Sequence, residues 1–543
     1  MRLYQQIRAS IARSAVVAAG LVVFVSGMPL SAFGQARQAQ PVSQLPPIAA
    51  QPAPAGTPLS MDEAVKMALE NNLNIQIEKL NPQITVLGIA RANAVYVPTF
   101  FSNLRRSNTT APPGDFLSAL SAGGANVVTN GSFSTQGGIA QQLRFGGASY
   151  QLSLDGSRGT TTASGQPFNP QLGSNLSAVY TQPLLRNFRI DTFRQQLALS
   201  QNLAAQADIQ LQQRVTQTSR NVRAAYYNLI GAIAGLDVAQ QSLDVARTSL
   251  KNNQTRVEVG TMAQIDIVQA EAEVAANEES VIVAQAQIET AQDQLRALVM
   301  NPSQPDFWTA RFTPSEQPVV AQQVINVDAA IKTALQNRTD IRDFKKNMES
   351  TDINLQYARN QKLPAVDLTA RYGLTGLAGT QFQYGRNEDG SSVLLGQSSR
   401  AFSDALRDVF ANDFRTWSFG VNVSYPIGTS NADAAFAQAK LQKQQEQTTL
   451  ANIEMAITNE VRQAGREVNT NLRRIDATRR ARELAQQRLD ADNKRFSVGL
   501  ASTFEVLQSQ RDLSRAKTNE LRATIDYNRS LVDFEAVQIA PIR

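Results

Sequence analysis

Neither cysteine nor histidine occurs among the 543 residues. Without cysteine there is no disulfide, no thiolate metal site, no thiol nucleophile and no lipidated N-terminal residue. Without histidine the commonest general base and the commonest zinc ligand are both missing. A catalytic site would have to come from carboxylates, Ser and Lys. The sequence offers no phosphate-binding glycine loop, metal-ligand cluster or triad pattern, so it reads as a non-enzyme with no cofactor. A strong charge is lacking too: 52 Lys+Arg against 46 Asp+Glu leave +6. Arg2, Arg8 and Arg13 precede the apolar stretch Ala15 to Phe33, which ends in the small residues Ser31-Ala32-Phe33-Gly34-Gln35-Ala36. A basic start, an apolar middle and a small-residue cut site predict a secretory signal peptide over 1–36, with a retained anchor helix as the alternative. Cleavage there removes three arginines and no acid, leaving +3, which is no electrostatic footprint for nucleic acid. Beyond it no apolar run reaches about 18 residues, so no second membrane helix is expected. The exported chain is either soluble outside the cytoplasm or inserted as a β-barrel.

Proline is absent where it would do most harm. None of the 21 prolines lies between Pro183 and Pro302, or between Pro426 and Pro541. Both intervals are rich in Ala, Gln, Leu, Arg and Glu, which lose least on entering a helix. Each is broken near its middle by one Val-Gly pair, Val259-Gly260 and Val498-Gly499. The pattern predicts two helical hairpins, over 187–301 and 431–540, with arms of about 60 residues and roughly 90 Å. Helices of that length belong to a coiled-coil-like or stacked assembly.

The chain also repeats itself. Leu59-Ser60-Met61-Asp62-Glu63-Ala64-Val65, with Ala68-Leu69 and Asn71-Asn72, recurs as Ile325-Asn326-Val327-Asp328-Ala329-Ala330-Ile331, with Ala334-Leu335 and Asn337-Arg338. Val97-Pro98 matches Leu363-Pro364, Gln182-Pro183-Leu184 matches Tyr425-Pro426-Ile427, and Arg256 to Thr261 matches Arg495 to Leu500. The organisation is therefore a Pro-, Gln- and Ala-rich linker over 37–58, a first repeat over 59–302, a linker over 303–324 and a second repeat over 325–541. Ser60 with Glu63 three residues on forms a capping-box pattern at the first ordered helix.

Between its first helix and its hairpin, each repeat changes period, over 94–183 and 365–427. Val366, Leu368, Ala370, Tyr372 and Leu374 alternate with polar or small residues, as do Trp417, Phe419, Val421, Val423 and Tyr425. Period-2 alternation marks strands with one apolar face, and nine residues suffice for a tilted strand to cross a bilayer. The stretch 376–415 reads as an exposed loop. The first repeat is longer, with strand candidates at 94–106, 132–145, 148–156 and 175–182 and a turn at Phe145-Gly146-Gly147-Ala148, and its 107–174 insertion is either an extra hairpin or an elaborated loop. Trp417, Tyr425, Phe100 and Phe101 are candidates for an interfacial aromatic girdle, whereas Tyr96 is read as ordinary packing. Arg105-Arg106 is read as a lumen or loop charge pair.

Two strand pairs give four strands, too few to close a barrel alone. In lipid an open sheet edge has no water to bond, so several protomers would have to share one barrel. The apolar positions Leu229, Ile233, Leu236, Leu243 and Leu250 likewise need a neighbour. A ring of hairpins around a polar lumen satisfies both.

The tandem halves, the Val-Pro or Leu-Pro approach to each strand region, the Gln-Pro-Leu-Leu-Arg sequence at 182–186 and the Val-Gly tips together resemble the TolC-like outer-membrane efflux protein family. The resemblance covers the chain from Leu59 on. It implies a mainly α-helical homotrimer with a membrane β-barrel. Two helical hairpins per protomer would form a long helical barrel across the periplasm, and four strands per protomer a shared 12-stranded barrel in the outer-membrane lipid. It also implies a passive exit conduit of a tripartite efflux or type I secretion system, docked on a periplasmic adaptor protein of an inner-membrane pump. In the family's pattern Val259, Gly260, Thr261, Val498, Gly499 and Leu500 are the adaptor-docking tips. Asp266 falls on an acid that helps hold the periplasmic mouth closed, and Glu505 on one of the acids that ring the constriction.

The sequence departs from that pattern in three places: Ala501 replaces a latch arginine, Phe496 a latch tyrosine and Gln508 the second constriction acid. Like charges ~8 Å apart in a medium of dielectric ~40 repel by about 1 kcal/mol, so a lone Glu505 ring favours opening. Closure is then expected to rest on apolar packing of Phe496, Leu500 and Phe504. The competing readings are a periplasmic adaptor and a long coiled-coil scaffold. An adaptor carries one long hairpin rather than two, and a scaffold leaves the alternating strands without a role.

Overall fold

A computed structural model describes residues 56–112, 127–163, 166–318, 325–386 and 392–542. The expected signal peptide, most of the first linker and residues 319–324 of the second lie outside them. In chain order the elements are β1 (Thr57–Leu59), α1 (Met61–Asn71), α2 (Leu73–Ala94), β2 (Thr99–Ala111), β3 (Val128–Gln142), β4 (Ser149–Thr161), β5 (Phe168–Pro183), α3 (Thr192–Glu258) and α4 (Gln264–Val299). Then follow β6 (Phe312–Pro314), α5 (Val327–Asn337), α6 (Thr339–Gln361), β7 (Ala365–Arg386), β8 (Ser392–Arg400), α7 (Phe402–Ala411), β9 (Arg415–Ser424), α8 (Asn431–Ser497) and α9 (Thr503–Ala536).

The proline-free intervals are the two hairpins, but their arms are unequal. The first arms, α3 and α8, have 67 residues each, and the second arms, α4 and α9, have 36 and 34. The shorter arms stop because another helix takes over the column. Asn72 caps α2: its Oδ1 accepts the Asn74 and Ile75 N–H groups, and its Nδ2 donates to the last-turn carbonyl of Leu298 in α4 at 3.1 Å. Arg338 holds the matching joint. Its Nη1 donates to the carbonyl of Val537 at 3.3 Å, just beyond α9, while the Thr339 N–H donates to Ile539 O at 2.9 Å. Helix ends leave carbonyls unsatisfied, and these joints supply donors for them. The repeated Asn71-Asn72 and Asn337-Arg338 pairs therefore mark the joints of a stacked column.

Two cores bind the columns. One gathers α1, α3 and α4 around Leu59, Val222, Tyr226, Leu229 and Leu295, with the Tyr226 hydroxyl donating to Leu59 O at 2.9 Å. The other gathers α5, α6, α8 and α9 around Ile341, Ile457, Val461, Ile475 and Tyr527. The expected linker at 303–324 is partly built into the first. Phe307 and Phe312 are buried there, β6 pairs in parallel with β1, and the Gln292 side chain both donates to Phe312 O and accepts the Phe312 N–H. Burying two large aromatics outweighs the linker-like composition, since each contributes roughly 1.5–3 kcal/mol.

The sheet is larger than expected. Seven strands form one sheet instead of four, in the order β2-β3-β4-β5-β7, with β8 and β9 both on the far edge of β7. The 107–174 insertion is an extra hairpin: β3 and β4 join through a turn at Phe145 to Ala148 in which Gly146 and Gly147 have φ of 63° and 67°. This turn sits at the helical end of the sheet. Phe145 stacks edge-on against Phe188, Arg144 bonds Asn93 and covers the Tyr96 ring, and Tyr96 is buried as packing. The 376–415 stretch is not a loop either. β7 runs on to Arg386, β8 returns beside it, and α7 leaves the sheet plane before β9 resumes along the same edge of β7. α7 lies so close to β7 that a Cβ on Gly376 would stand 1.9 Å from the Ala405 carbonyl oxygen, so only glycine fits.

Register sorts the sheet into two faces, because directly opposed residues share a side. One row runs Phe100–Ile139–Leu152–Ala178–Tyr372–Trp417, and all but Ala178 are large, exposed hydrophobics. On the other face a row runs Asn103–Gln136–Asp155–Asn175–Thr375, where Asn175 and Ser153 both donate to the Asp155 carboxylate. Arg105 and Arg106, being adjacent, point to opposite faces. No helix among the described residues is long and apolar enough to cross a membrane.

The α9–α6 joint gives a direct test. Arg338 is 1% exposed and pairs with Asp340 at 2.8 Å and Glu460 at 2.7 Å. Arg338→Met removes the positive partner of both carboxylates and the side-chain donor to Val537 O, at a cost of about 3 kcal/mol, the lower end for a broken buried pair because the acids keep some water and the backbone donors of Ile341 and Ile542. Thermal unfolding in detergent should show a clearly lowered midpoint; an unchanged midpoint refutes the joint's role.

Candidate functional site

The tips of the two hairpins are the same structure built twice. In each, the tip glycine, Gly260 or Gly499, has φ of 77°. The Thr261 N–H reaches back to Arg256 O at 2.9 Å and the Gly260 N–H to Val257 O at 3.0 Å. Leu500 to Arg495 O at 2.8 Å and Gly499 to Phe496 O at 3.2 Å repeat both bonds. This double closure is the Schellman C-cap, which needs a left-handed residue at its corner. Nothing lies within 4 Å of a Cβ built on either glycine, so conformation, not crowding, selects glycine here. Around the corners stand exposed apolar side chains: Val259 at 67%, Val498 at 68% and Leu500 at 70% exposure, with Thr261 also exposed.

The remaining expected residues lie just past the tips. Glu505 is exposed at the third position of α9, and its carboxylate accepts the Ser502 N–H at 2.8 Å while Ser502 Oγ accepts the Glu505 N–H at 3.3 Å. It therefore closes a capping box as well as placing a negative charge at the helix start. Gln508, half-buried, donates to Asp512 at 3.0 Å. Asp266 is half-exposed in the first turn of α4 and makes no ion pair among the described residues. No bond links Asp266 to Glu505 among the described residues. Of the three apolar closure candidates, Phe496 packs against the small cluster of Leu489, Val506 and Leu513, while Leu500 and Phe504 are exposed at 70% and 59%.

Sequence reasoning missed the group that joins the two tips. The Arg256 guanidinium, on the first hairpin, lies over the Phe496 ring of the second, 4.4 Å from its centroid. Together they wall a cleft of about 200 Å³ with Ser249, Asn253, Asn493 and Val506. Above it the seam between hairpins is polar: Gln510 to Ser249 at 2.9 Å, Arg511 to Glu273 at 3.1 Å, Ser242 to Ser514 at 3.0 Å and Lys517 to Gln241 at 3.1 Å. Arg256 follows from no single-hairpin pattern, since its partner is 240 residues away in sequence. The Ser502-x-x-Glu505 box, by contrast, is a local signature that the sequence carries openly. No group of His, Cys, Asp and Glu among the described residues is placed to hold a metal ion.

An exposed cation–π pair contributes about 0.5–1 kcal/mol, so its loss should speed local opening about two- to fivefold. Phe496→Leu, which keeps apolar bulk and removes the ring face, is expected to accelerate hydrogen exchange at the 256–262 and 496–503 amides by that factor. Arg256→Ala should give the same acceleration, and the double variant no more than either; unchanged exchange removes the pair as a latch.

The family model described as outer membrane efflux protein matches residues 149–299 and 330–537, one block in each repeat. TolC of Escherichia coli (strain K12) is 24% identical over 365 residues, spanning 66% of this chain and 68% of TolC. Among solved structures, the outer-membrane channel OprN aligns with a TM-score of 0.62 at 16% identity, covering 89% of this chain and 90% of OprN. The CmeC outer membrane channel of Campylobacter jejuni aligns at 0.61 and 16% identity, covering 88% and 85%. At these identities the solved structures speak for the fold, and the family match speaks for the kind of protein. The chain belongs to the outer membrane efflux protein family, as an outer-membrane efflux channel protein with a periplasmic extension rather than an enzyme.

Proposed function

We propose that three copies of the chain assemble into one passive conduit, with a shared β-barrel in the outer membrane and a helical barrel reaching through the periplasm. The observation that carries this reading is on α2. Ile77, Leu80, Ile84 and Leu87 are 61%, 53%, 61% and 68% exposed, and their 3-4-3 spacing places them on one helical face. A stripe of that spacing is the seam of a helix that packs on another, and no described residue of the same chain covers it. The sheet makes the same demand, since β2 and β9 each have one unpaired edge and the sheet has one exposed apolar face.

The exposed collar of Val259, Val498 and Leu500 around Gly260, Thr261 and Gly499 is the docking surface for a periplasmic adaptor protein, and through it an inner-membrane pump. TolC-family channels work in such tripartite systems, which supports this kind of partner. Glu505 lines the mouth. With Gln508 in place of a second acid, threefold symmetry puts a single ring of carboxylates there, which selects cations. Phe496, Leu500 and Phe504 close the mouth by apolar contact, and Asp266 borders the moving tip. Opening is a loosening of the second hairpin's tip from the first, across the polar seam and the Arg256–Phe496 contact.

Two measurements test this. In single-channel recordings Glu505→Gln should lower the cation-to-anion permeability ratio severalfold; an unchanged ratio takes Glu505 out of the pore. Because the chain has no cysteine of its own, Asp266→Cys with Glu505→Cys can be bridged by a thiol cross-linker. Locking them should abolish export in a strain lacking its own exit channel while leaving the trimer intact, and continued export would refute gating at the tips.

A further inference from the structure

Resting on the trimeric reading above, we infer that each chain supplies six barrel strands, not four, and that β9 of one protomer pairs with β2 of the next to close an 18-stranded barrel. Six strands, β2, β3, β4, β5, β7 and β9, form one continuous antiparallel path, and each neighbouring pair is in register over at least ten residues. The repeat pairs Val97-Pro98 with Leu363-Pro364 and Gln182-Pro183 with Tyr425-Pro426, so β2 and β5 answer to β7 and β9, and β3 and β4 are the hairpin inserted between them. They are not a detached ornament. Ile139 and Leu152 continue the apolar row of the other four strands, and Gln136 and Asp155 continue the polar one. β3 also occupies the edge of β4 over thirteen residue pairs, leaving no place there for another chain.

Among the described residues the free edges are therefore that of β2 on one border and, on the other, that of β9 at the helical end with β8 farther out. β2 and β9 are almost wholly exposed, β9 at all ten positions, as boundary strands awaiting a neighbour would be. In lipid their unpaired N–H and C=O groups have no water to bond, and only closure removes them. β9 runs toward the helices and β2 away from them, so a β9–β2 contact between copies is antiparallel and continues the alternation. One head-to-tail contact repeated by rotation closes a ring.

The slope of the sheet constrains the register of that contact. The row through Thr99, the first residue of β2, reaches β9 at Ser418, while β9 continues to Ser424. The helical border thus drifts by six residues across five strand steps. Face parity then allows Thr99 of the next copy to lie opposite Ser424 or Pro426, with polar side chains meeting polar ones. Those two registers shift each protomer by about six or eight residues, which at ~3.3 Å per residue and ~4.8 Å between strands means a tilt of about 35° or 43°. Both fall within the range of closed barrels. Eighteen strands at such tilts enclose a backbone diameter of about 35 Å, against about 23 Å for twelve. The membrane end is then wide enough for an open aqueous bore, as in barrels of that strand number.

Cysteines at the polar face decide it. Asn103 of one copy lies opposite Gly420 in the first register and opposite Asn422 in the second. In the assembled protein, Asn103→Cys combined with Gly420→Cys or with Asn422→Cys should, for one of the two combinations, shift from monomer to covalent trimer on a denaturing gel after mild oxidation. Ser153→Cys on β4, paired with the same β9 cysteines, should give none. A trimer whose β9 cysteines link to residue 153, or fail to link to residue 103 in either combination, overturns the six-strand barrel while leaving the channel reading in place. Absence of any trimer before oxidation, with helical content intact by circular dichroism, overturns the channel reading itself.

Discussion

Backbone N–H and C=O groups at the border of a sheet must be bonded, and in hydrocarbon no water is available to do it. The chain's single large sheet has an exposed apolar face from Phe100 to Trp417 and two unpaired borders. An isolated copy in lipid would leave a row of polar groups unsatisfied on each side, each costing several kcal/mol. The rest of the architecture answers to that constraint. On the helical side β2, β5, β7 and β9 begin or end at or within two residues of a proline, Pro98, Pro183, Pro364 and Pro426, which cannot donate to the ladder. The helices continue from those points, so whatever symmetry closes the sheet is imposed on the columns beneath it.

The columns solve a related problem along their length. A helix that ends inside an assembly exposes carbonyls, and a chain of stacked helices would accumulate such defects. Asn72 and Arg338 meet this with different chemistry at equivalent positions. Asn72 is a neutral amide that caps α2 and reaches one carbonyl of the helix before it. Arg338 brings a charge that requires Asp340 and Glu460 to stay compensated. Duplication of the unit therefore preserved the joint's function while its residues diverged, which is why the two halves align at the joint by position more than by identity.

Elements defined by local rules were legible in the sequence. Proline-free intervals and Val-Gly pairs marked both hairpins and their tips, and Ser60 marked the start of α1. The equal arm lengths were wrong because nothing local distinguishes one long helix from two stacked ones. Most of β3 was legible as the strand candidate at 132–145, although it has only two large apolar residues on its outward face, and what the sequence left open was whether it joined the sheet. Its place is set by neighbours, since each strand needs only one or two apolar residues when six share the face. α7 was hidden for a similar reason. Ala405 and Val409 are buried because Gly376, within β7, leaves room for the helix to lie against the strand. At the tips, positions followed from the repeat, but Arg256 over Phe496 depends on the two hairpins lying side by side.

Cohesion is distributed unevenly along the molecule, and this fixes where it can move. Among the described residues fifteen buried side chains form the first core and twelve the second, both near the helix joints, but only three form the cluster at the tips. Between joints and tips the hairpins touch through serines, glutamines and exposed ion pairs, each contributing at most about 1 kcal/mol in water. Parts of a protein open locally in order of the apolar contact they would lose. The sheet is held by strand pairing, the joints by buried packing, and the two tips meet through one ring under one guanidinium. Separating the two tips would therefore lose the least apolar contact of any part of the molecule described. At the tips, exposed apolar side chains, a polar seam and an acidic residue at a helix start coincide.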